Sequence, residues 1–407
     1  VDAEKSGIRK WLIRAAVGAA LLPTAIMGLW GYMIATKRAI HPDAKAVSAV
    51  TSVAPSPSWA VVVERARQIA RAGVAEENLP GLSVAVGVGG EIVWAEGYGW
   101  ANLEDRVPVT PDTPFRIGTA SKALTSAAVG LLLDQGRLKL DDEIQAYVPT
   151  FPKKPWPVTL RQVMGHVAGI RRDDGDEERL TERCRKTVDG LRRFADSPLL
   201  AQPGTEYRYS SYGWILVSAA VEAAAGAPFF SFMRTQVFEP LGMDHTKGDS
   251  GKEAIPDKAV FYFPKFAADP RYGPQAPSEV DYSCFSGASA FVSTPSDVVR
   301  FVMAMGSGRF VKPETVQLLQ TSQRTASGAE TGYGLGWDLE TATLSGQPRR
   351  VISYDGELMG GPVSSFISIP EFKLVVSLTS NISYADTASL ALKMAEAFME
   401  GVKEREP

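Results

Sequence analysis

The chain has 407 residues, 45% hydrophobic and 22% charged, with two cysteines and three histidines, an ordinary globular composition long enough for one large domain or two intimate subdomains. A net charge of −3 offers no basic face to nucleic acid. The distant Cys184 and Cys284 do not make a disulfide framework, though a single bridge stays open, and His41, His166 and His245 lack metal-ligand spacing, so no metal or other cofactor is expected.

From Ala15 to Thr36 the chain carries no charge, a run long enough to span a bilayer as a helix. Pro23 is tolerable in such a span, and Trp30 and Tyr32 suit interfacial anchoring near its far end. Lys5, Arg9, Lys10 and Arg14 precede the run and Lys37 and Arg38 follow it. That bias favours a cytoplasmic or matrix N-terminus, with the bulk of the chain in a periplasmic or equivalent extracytoplasmic space. A cleaved signal peptide is the main rival, but the run is long for one and no clear A-x-A site follows. The expected organisation is a membrane anchor over residues 1–45, a linker over 46–58 rich in Ala, Ser, Val and Pro, and one domain over 59–407.

Within that domain a helix is expected from Trp59 through Ala70. Leu82–Val86 and Ile92–Ala95 flank Gly87-Val88-Gly89-Gly90, which reads as a β-hairpin with a glycine turn. The glycines neither complete GxGxxG nor open a helix, which excludes a dinucleotide site. Ala123, Leu124, Ala127, Ala128, Leu131 and Leu132 recur at helical spacing with little polarity between them, predicting a helix buried on most faces that stops at Gly136. The chain then reads as mostly helical and loop-like to about Gly242, with the dense mixed charge of Asp173–Arg193 as an exposed loop and helix or a lid. Ser296-Asp297 is expected to cap a helix over Val298–Met305. Tyr333–Trp337, Val351–Tyr354, Ser364–Ile369 and Leu374–Leu378 read as strands, and a helix from about Ala388 closes the chain. A hairpin first, helices in the middle, then strands and a helix predict an α/β (α+β) architecture: an antiparallel sheet completed from both ends, with an inserted helical subdomain.

The residues that carry chemistry open the buried helix. Thr119-Ala120-Ser121-Lys122 puts a hydroxyl three residues before a lysine, on one face of the first turn. An alcohol needs a neighbour to take its proton. A lysine can serve only if its pKa falls from about 10.4 in water toward roughly 7–8. A helix N-terminus favours the developing negative charge. Alone, these residues leave two readings open: a nucleophile and its base, or an N-cap and a surface lysine. Ser121 adjoins Lys122 and points to a different face.

The order of further motifs narrows the choice. Phe115–Leu124, Leu160–Ile170, Pro203–Ser210, Tyr209-Ser210-Ser211-Tyr212-Gly213, Phe238–Met243, Tyr333–Trp337 and a glycine motif near Gly356 resemble the serine β-lactamase and penicillin-binding-protein superfamily. The likeness covers roughly Trp59 to the C-terminus and is greatest to the class C and esterase-type branch, including the mitochondrial serine β-lactamase-like group and its bacterial relatives. The resemblance implies a β-lactamase/transpeptidase-like fold and an acyl-enzyme hydrolase. It puts the nucleophile at Thr119, the lysine base at Lys122 and a proton-moving tyrosine at Tyr209. It implies substrate contacts at Ser211, Tyr354 and Gly356, and an oxyanion hole from the nucleophile's own N–H and one near the third motif.

Three positions depart from the pattern. Threonine stands for serine at Thr119, and its methyl restricts χ1 and crowds the attacking oxygen. Ser211 stands for asparagine and cannot donate an amide hydrogen bond. Tyr354-Asp355-Gly356 replaces the Lys/His-Thr-Gly strand, removing a cation that would pair with a substrate carboxylate and adding Asp355, which would repel one. The missing cation and Asp355 argue against β-lactamase or cell-wall carboxypeptidase action. The leading expectation is a membrane-tethered hydrolase of an ester or small peptide, with no nucleic-acid partner and a homo-oligomer left open. The alternatives are a weakly active or inactive fold kept for binding or assembly, whose warrant is three changes in one site, and a peptidoglycan-recognition protein. His166 is expected to hydrogen-bond structurally, and no G-x-S-x-G supports a Ser-His-Asp hydrolase.

Overall fold

Leu82, Val84 and Val86 alternate with Ala85 along one strand, and the two sets pack into different apolar clusters. A strand buried on both faces must lie between two layers. The computed structural model describes residues 23–35, 37–52, 55–173, 182–249, 254–276 and 280–403. Its main sheet contains β1 (Ala49–Thr51), β2 (Gly81–Val88), β3 (Glu91–Asn102), β4 (Asp338–Leu344), β5 (Gln347–Leu358), β6 (Gly361–Ile369) and β7 (Leu374–Ser380). Their spatial order is β1-β3-β2-β7-β6-β5-β4, antiparallel throughout. The N-terminal hairpin joins the C-terminal strands where β2 pairs with β7, Val84 opposite Leu378. The sheet is thus completed from both ends, as expected.

One face is covered by α1 (Ala60–Glu76) and the C-terminal helix α5 (Thr387–Lys403). Val63, Ala66, Ala70 and Val74 form the apolar stripe of α1. Gly73 lets α5 approach, since a Cβ there would lie 2.6 Å from Leu390 Cδ2. The other face carries the inserted helical region, centred on α2 (Ser121–Asp134) and α3 (Ser211–Ala225), with α4 (Pro295–Ser307) against the sheet. Eleven of the fourteen residues of α2 are buried, and Gly136 beyond its end is left-handed at φ +66°.

Several expectations need correction. Tyr333–Trp337 is not a strand: the strand begins at Asp338, because Gly336 turns at φ +103° and Gly334 sits where a Cβ would lie 2.3 Å from Leu319 O. The cap of α4 is Thr294, whose hydroxyl accepts from Asp297 N; Pro295 and Ser296 are already helical. Within 46–58, Ala49–Thr51 pairs with β3 at the sheet edge. Cys184 and Cys284 form a disulfide. It pins the described part of the charged stretch, where Glu182 pairs with Arg192 and Leu191 is buried; residues 174–181 lie outside the described residues.

Of the uncharged N-terminal run, residues 15–22 and 36 lie outside the described residues. Residues 23–35 are helical and expose Ile26, Met27, Leu29, Trp30, Tyr32 and Ile34. Among the described residues no single helix is long and apolar enough to cross a membrane.

The position of the α4 cap can be checked by denaturation. Thr294→Ala is expected to lower the unfolding free energy by about 1 kcal/mol, and Ser296→Ala, which removes no cap, by less, both read from urea midpoints.

Candidate active site

The site begins where two stretches of backbone touch. Gly118–Ala120 forms a single tight turn that runs into α2. Gly118 is left-handed at φ +57°, and a Cβ on it would lie 2.3 Å from Glu357 O. Facing it, a Cβ on Gly356 would lie 2.1 Å from Ile117 O and 2.2 Å from Ser364 Oγ. Only glycine at both positions lets the turn lie against the bulged end of β5, between Gly356 and Glu357. Ser364 Oγ donates to Ile117 O at 2.8 Å and fastens the contact.

Thr119 is held in this contact and is 3% exposed. Its hydroxyl accepts from Glu357 N at 2.8 Å and donates to Asp355 O at 3.3 Å. It does not cap α2, whose N-cap residue is Ala120, without a side-chain bond. Ser121 is occupied elsewhere, donating to Gly118 O at 2.7 Å and accepting from Phe291 N at 3.3 Å.

Lys122, one turn on, is fully buried. Its Nζ donates to Tyr209 OH at 2.8 Å and lies 3.4 Å from Ser211 Oγ, and it sits 4.7 Å from the Tyr209 ring centroid. Tyr209 precedes α3, which Ser210 caps by accepting from Gly213 N. Thr119 is among the groups that bear on the Tyr209 hydroxyl. That hydroxyl lies 3.2 Å from Tyr354 OH, which in turn accepts from Tyr333 OH at 3.2 Å. Burial pushes all three phenols well above their ordinary range, so each is a neutral donor at physiological pH.

His166 stands behind this row, 4.4 Å from the Tyr209 ring and 4.7 Å from the Tyr333 ring. Its Nδ1 accepts from Ser210 N at 3.1 Å. Burial, and then the Lys122 charge, hold it well below the usual imidazole range. It therefore stays neutral and fixes the backbone beside Tyr209, matching the structural role expected of it.

In front of the phenols is a cavity of about 490 Å³ lined by Tyr209, Tyr354, Arg172, Asp338, Glu340, Asp355 and Glu357, with Gly332, Leu339 and Ser353. Burial, then Asp355 and Glu340, push the Asp338 carboxyl up to about 7, against the lowering effect of Lys122.

Of the residues singled out in the sequence, Thr119, Lys122, Tyr209, Ser211 and Tyr354 converge. Ser211 is enclosed beside the amine rather than on the cavity wall, and Tyr354, in the cation's position, links Tyr209 to Tyr333. Gly356 serves as the spacer at the backbone contact. The sequence reading missed Glu357, Asp338, Tyr333 and Arg172. The first two had weak signals: Glu357 directly follows the glycine motif, and Asp338 follows Tyr333–Trp337.

Comparison with known proteins agrees with this arrangement. A sequence model of the family described as Beta-lactamase matches residues 66–398. The human mitochondrial serine beta-lactamase-like protein LACTB is 25% identical, over 84% of this chain and 80% of that protein. Among solved structures, EstCE1, a hydrolase with promiscuous acyltransferase activity, is similar with a TM-score of 0.71 at 22% identity, covering 84% of this chain and 99% of its own. The octameric penicillin-binding protein homologue from Pyrococcus abyssi has a TM-score of 0.68 at 22% identity, covering 83% of this chain and 77% of its own.

Two outcomes follow from the geometry. Gly356→Ala is expected to cost about 1–3 kcal/mol by overpacking, whereas Gly306→Ala, which meets nothing within 4 Å in α4, is expected to be neutral or stabilising, both measured by chemical denaturation. The second concerns pH. The Asp338 carboxyl lies at about 7 in the fold against an ordinary 3.8, so the folded state binds the proton more tightly. Its contribution to stability is present at low pH and is lost as the pH rises across that window. Asp338→Asn is therefore expected to stabilise the protein at pH 8 by on the order of 1 kcal/mol or more and to do little at pH 4, as read from paired unfolding curves.

Proposed function

Because the chain belongs to the β-lactamase family of serine-type hydrolases, we propose that it hydrolyses an ester or small peptide (amide) through an acyl-enzyme on Thr119. The observation that carries this reading is a fully buried lysine amine 2.8 Å from the Tyr209 phenol, one helical turn from a Thr119 hydroxyl held by the Glu357 N–H.

The chemistry follows from those three groups. Complete burial works against the ammonium form of Lys122 while Asp338 and Glu357 favour it. In this reading the amine is uncharged when Thr119 attacks, and Tyr209 remains protonated, so the phenol relays rather than stores a proton. As Thr119 Oγ1 attacks the acyl carbonyl, its proton passes to Tyr209 and the Tyr209 proton passes to the uncharged amine. The carbonyl oxygen becomes an oxyanion that accepts from Glu357 N–H and from the backbone N–H of Thr119. Collapse of the tetrahedral intermediate breaks the bond to the leaving group, which takes a proton from the Lys122 ammonium through Tyr209. Water, deprotonated by the same relay, then releases the acid and restores the hydroxyl. The Glu357 N–H already bonds Thr119 in the resting site, so the nucleophile's position relative to that donor is set before substrate arrives.

The same reading places the domain on the oxidising side of a membrane. The Cys184–Cys284 disulfide supports that compartment. The uncharged run, with exposed apolar side chains over 23–35, supports a tether. Tyr354 at the third motif supports ester or amide turnover over β-lactam or peptidoglycan recognition, and weak labelling by a fluorescent penicillin is expected.

An alkyl phosphonate probe is expected to add its mass at Thr119 in the intact protein. Thr119→Ala is expected to give no adduct. Lys122→Ala and Tyr209→Phe are expected to slow ester turnover about 10²- to 10⁴-fold. Thr119→Ser, which removes the crowding methyl, is expected to be at least as active. Absence of an adduct, together with ester turnover that survives Thr119→Ala, removes the proposal.

A further inference from the structure

The cavity in front of Tyr209 has an unbalanced wall. Two adjacent strands supply four carboxylates: Asp338 and Glu340 from β4, Asp355 and Glu357 from β5. The register explains why they gather. Asp338 pairs with Ser353 and Glu340 with Val351, so on β5 the next residue of the same face is Asp355. The bulge after Gly356 then re-aims Glu357.

These acids are felt by one another and by the reacting groups. Asp355 bears on Asp338, Glu340 and Glu357, each of which is raised first by burial. Lys122 bears on both Asp338 and Glu357, which ties the acidic wall to the amine of the site. Arg172 also lines the cavity and bears on Glu357. Asp355 Oδ1 accepts from Ser365 Oγ at 2.6 Å, a neutral partner that leaves its charge in place. Among the described residues, no ion pair within 4.0 Å joins any of the four to a cation. By contrast Asp249, away from the site, is paired with Arg116 at 2.9 Å and Lys258 at 3.1 Å. Glu357 matters most for placement, because its own N–H bonds Thr119. The same residue also lines the cavity.

We infer that the substrate of this site carries a positive charge: an ester or amide bearing an ammonium group that sits among Asp338, Glu340, Asp355 and Glu357 while its carbonyl lies at Thr119. The inference rests on the hydrolase reading above and adds to it the charge of the substrate. The cavity is open and three of its four acids, Glu340, Asp355 and Glu357, are exposed; a wall of one sign of charge still concentrates cations and disfavours anions. Tyr354, where the resembled family has a cation for a substrate carboxylate, removes the opposite preference.

The test uses the whole chain and two matched ester series at low and high salt. One varies the acyl group: aminohexanoyl, hexanoyl and hemi-adipoyl esters of nitrophenol. The other varies the leaving group: butyrylthiocholine against S-ethyl thiobutyrate. The amine-bearing acyl ester is expected to exceed the neutral one by about tenfold and the anionic one by about a hundredfold in kcat/KM, with the gap narrowing as salt rises. A preference confined to thiocholine places the ammonium on the leaving group and equally supports the inference. In Asp338→Asn and Glu340→Gln the ratio of cationic to anionic turnover is expected to fall toward one. Equal or better turnover of the neutral and anionic esters by the unaltered chain, with the phosphonate adduct at Thr119 intact, overturns this inference alone. No turnover of any ester, with no adduct, overturns it together with the hydrolase reading.

Discussion

The site depends on a backbone contact that tolerates no side chain. Gly118 and Gly356 are pressed against each other's strands so tightly that a methyl on either would overlap carbonyl oxygen. The contact fastens an inserted helical region to a sheet drawn from both ends of the chain. It brings the Glu357 N–H to Thr119, and it fixes the direction in which α2 leaves the sheet. From that direction everything else follows: Lys122, one turn along, is carried beneath the sheet edge, where Tyr209, just before α3, and Ser211, its first residue, meet it. The left-handed turn at Gly118 is one that glycine adopts without steric cost, so the close contact forms without backbone strain.

Burial of an amine is the second constraint, and the fold answers it with neutral donors and acceptors. Lys122 Nζ meets the hydroxyls of Tyr209 and Ser211, and Tyr209 is continued by Tyr354 and Tyr333. Hydroxyls can both give and take a proton, whereas a carboxylate at that position would lock the amine as ammonium. His166 completes the arrangement from behind. Held neutral, it spends its one acceptor on Ser210 N, at the point where the chain turns from Tyr209 into α3. The carboxylates are one shell further out, on β4 and β5, where they shape the cavity without quenching the relay.

Much of this was legible in the sequence because it rests on local patterns. Leu82, Val84 and Val86 against Ala85 announce a strand buried on both sides, and the Ala- and Leu-rich run after Lys122 announces a buried helix that desolvates the amine at its start. The ordered motifs bring Tyr209 and Gly356 into the same neighbourhood. What stayed hidden depends on pairings remote in sequence or on backbone detours. The Cys184–Cys284 bridge joins residues separated by 100 positions. Tyr333–Trp337 is apolar enough for a strand, yet Gly334 and Gly336 route it past Leu319 O and Lys122 O. Asp338 enters the site through its register with Ser353, which no period in the sequence reveals. For α4, Pro295 marks a helix start, and the cap one residue earlier, at Thr294, obeys the ordinary rule.

The three departures from the family pattern make physical sense as a set. A lysine or histidine at position 354 would put a full charge within a few ångströms of Lys122, Tyr209 being the bridge between them. It would also neutralise part of the wall formed by Asp338 and Glu357. A phenol there keeps the proton chain continuous and leaves the wall negative. Serine at 211 fits the same logic: a small hydroxyl 3.4 Å from Nζ extends the neutral hydrogen-bonding surround of the amine, where a longer amide would reach past it toward the cavity. Threonine at 119 is the change with a direct mechanical cost, because a β-branched side chain has fewer rotamers for attack. In exchange, the restriction narrows the hydroxyl to the orientation already bonded to Glu357 N–H. Under the proposed mechanism, such a site gives up freedom at Thr119 and carboxylate recognition at the third motif, and keeps the Lys122–Tyr209 hydrogen bond intact.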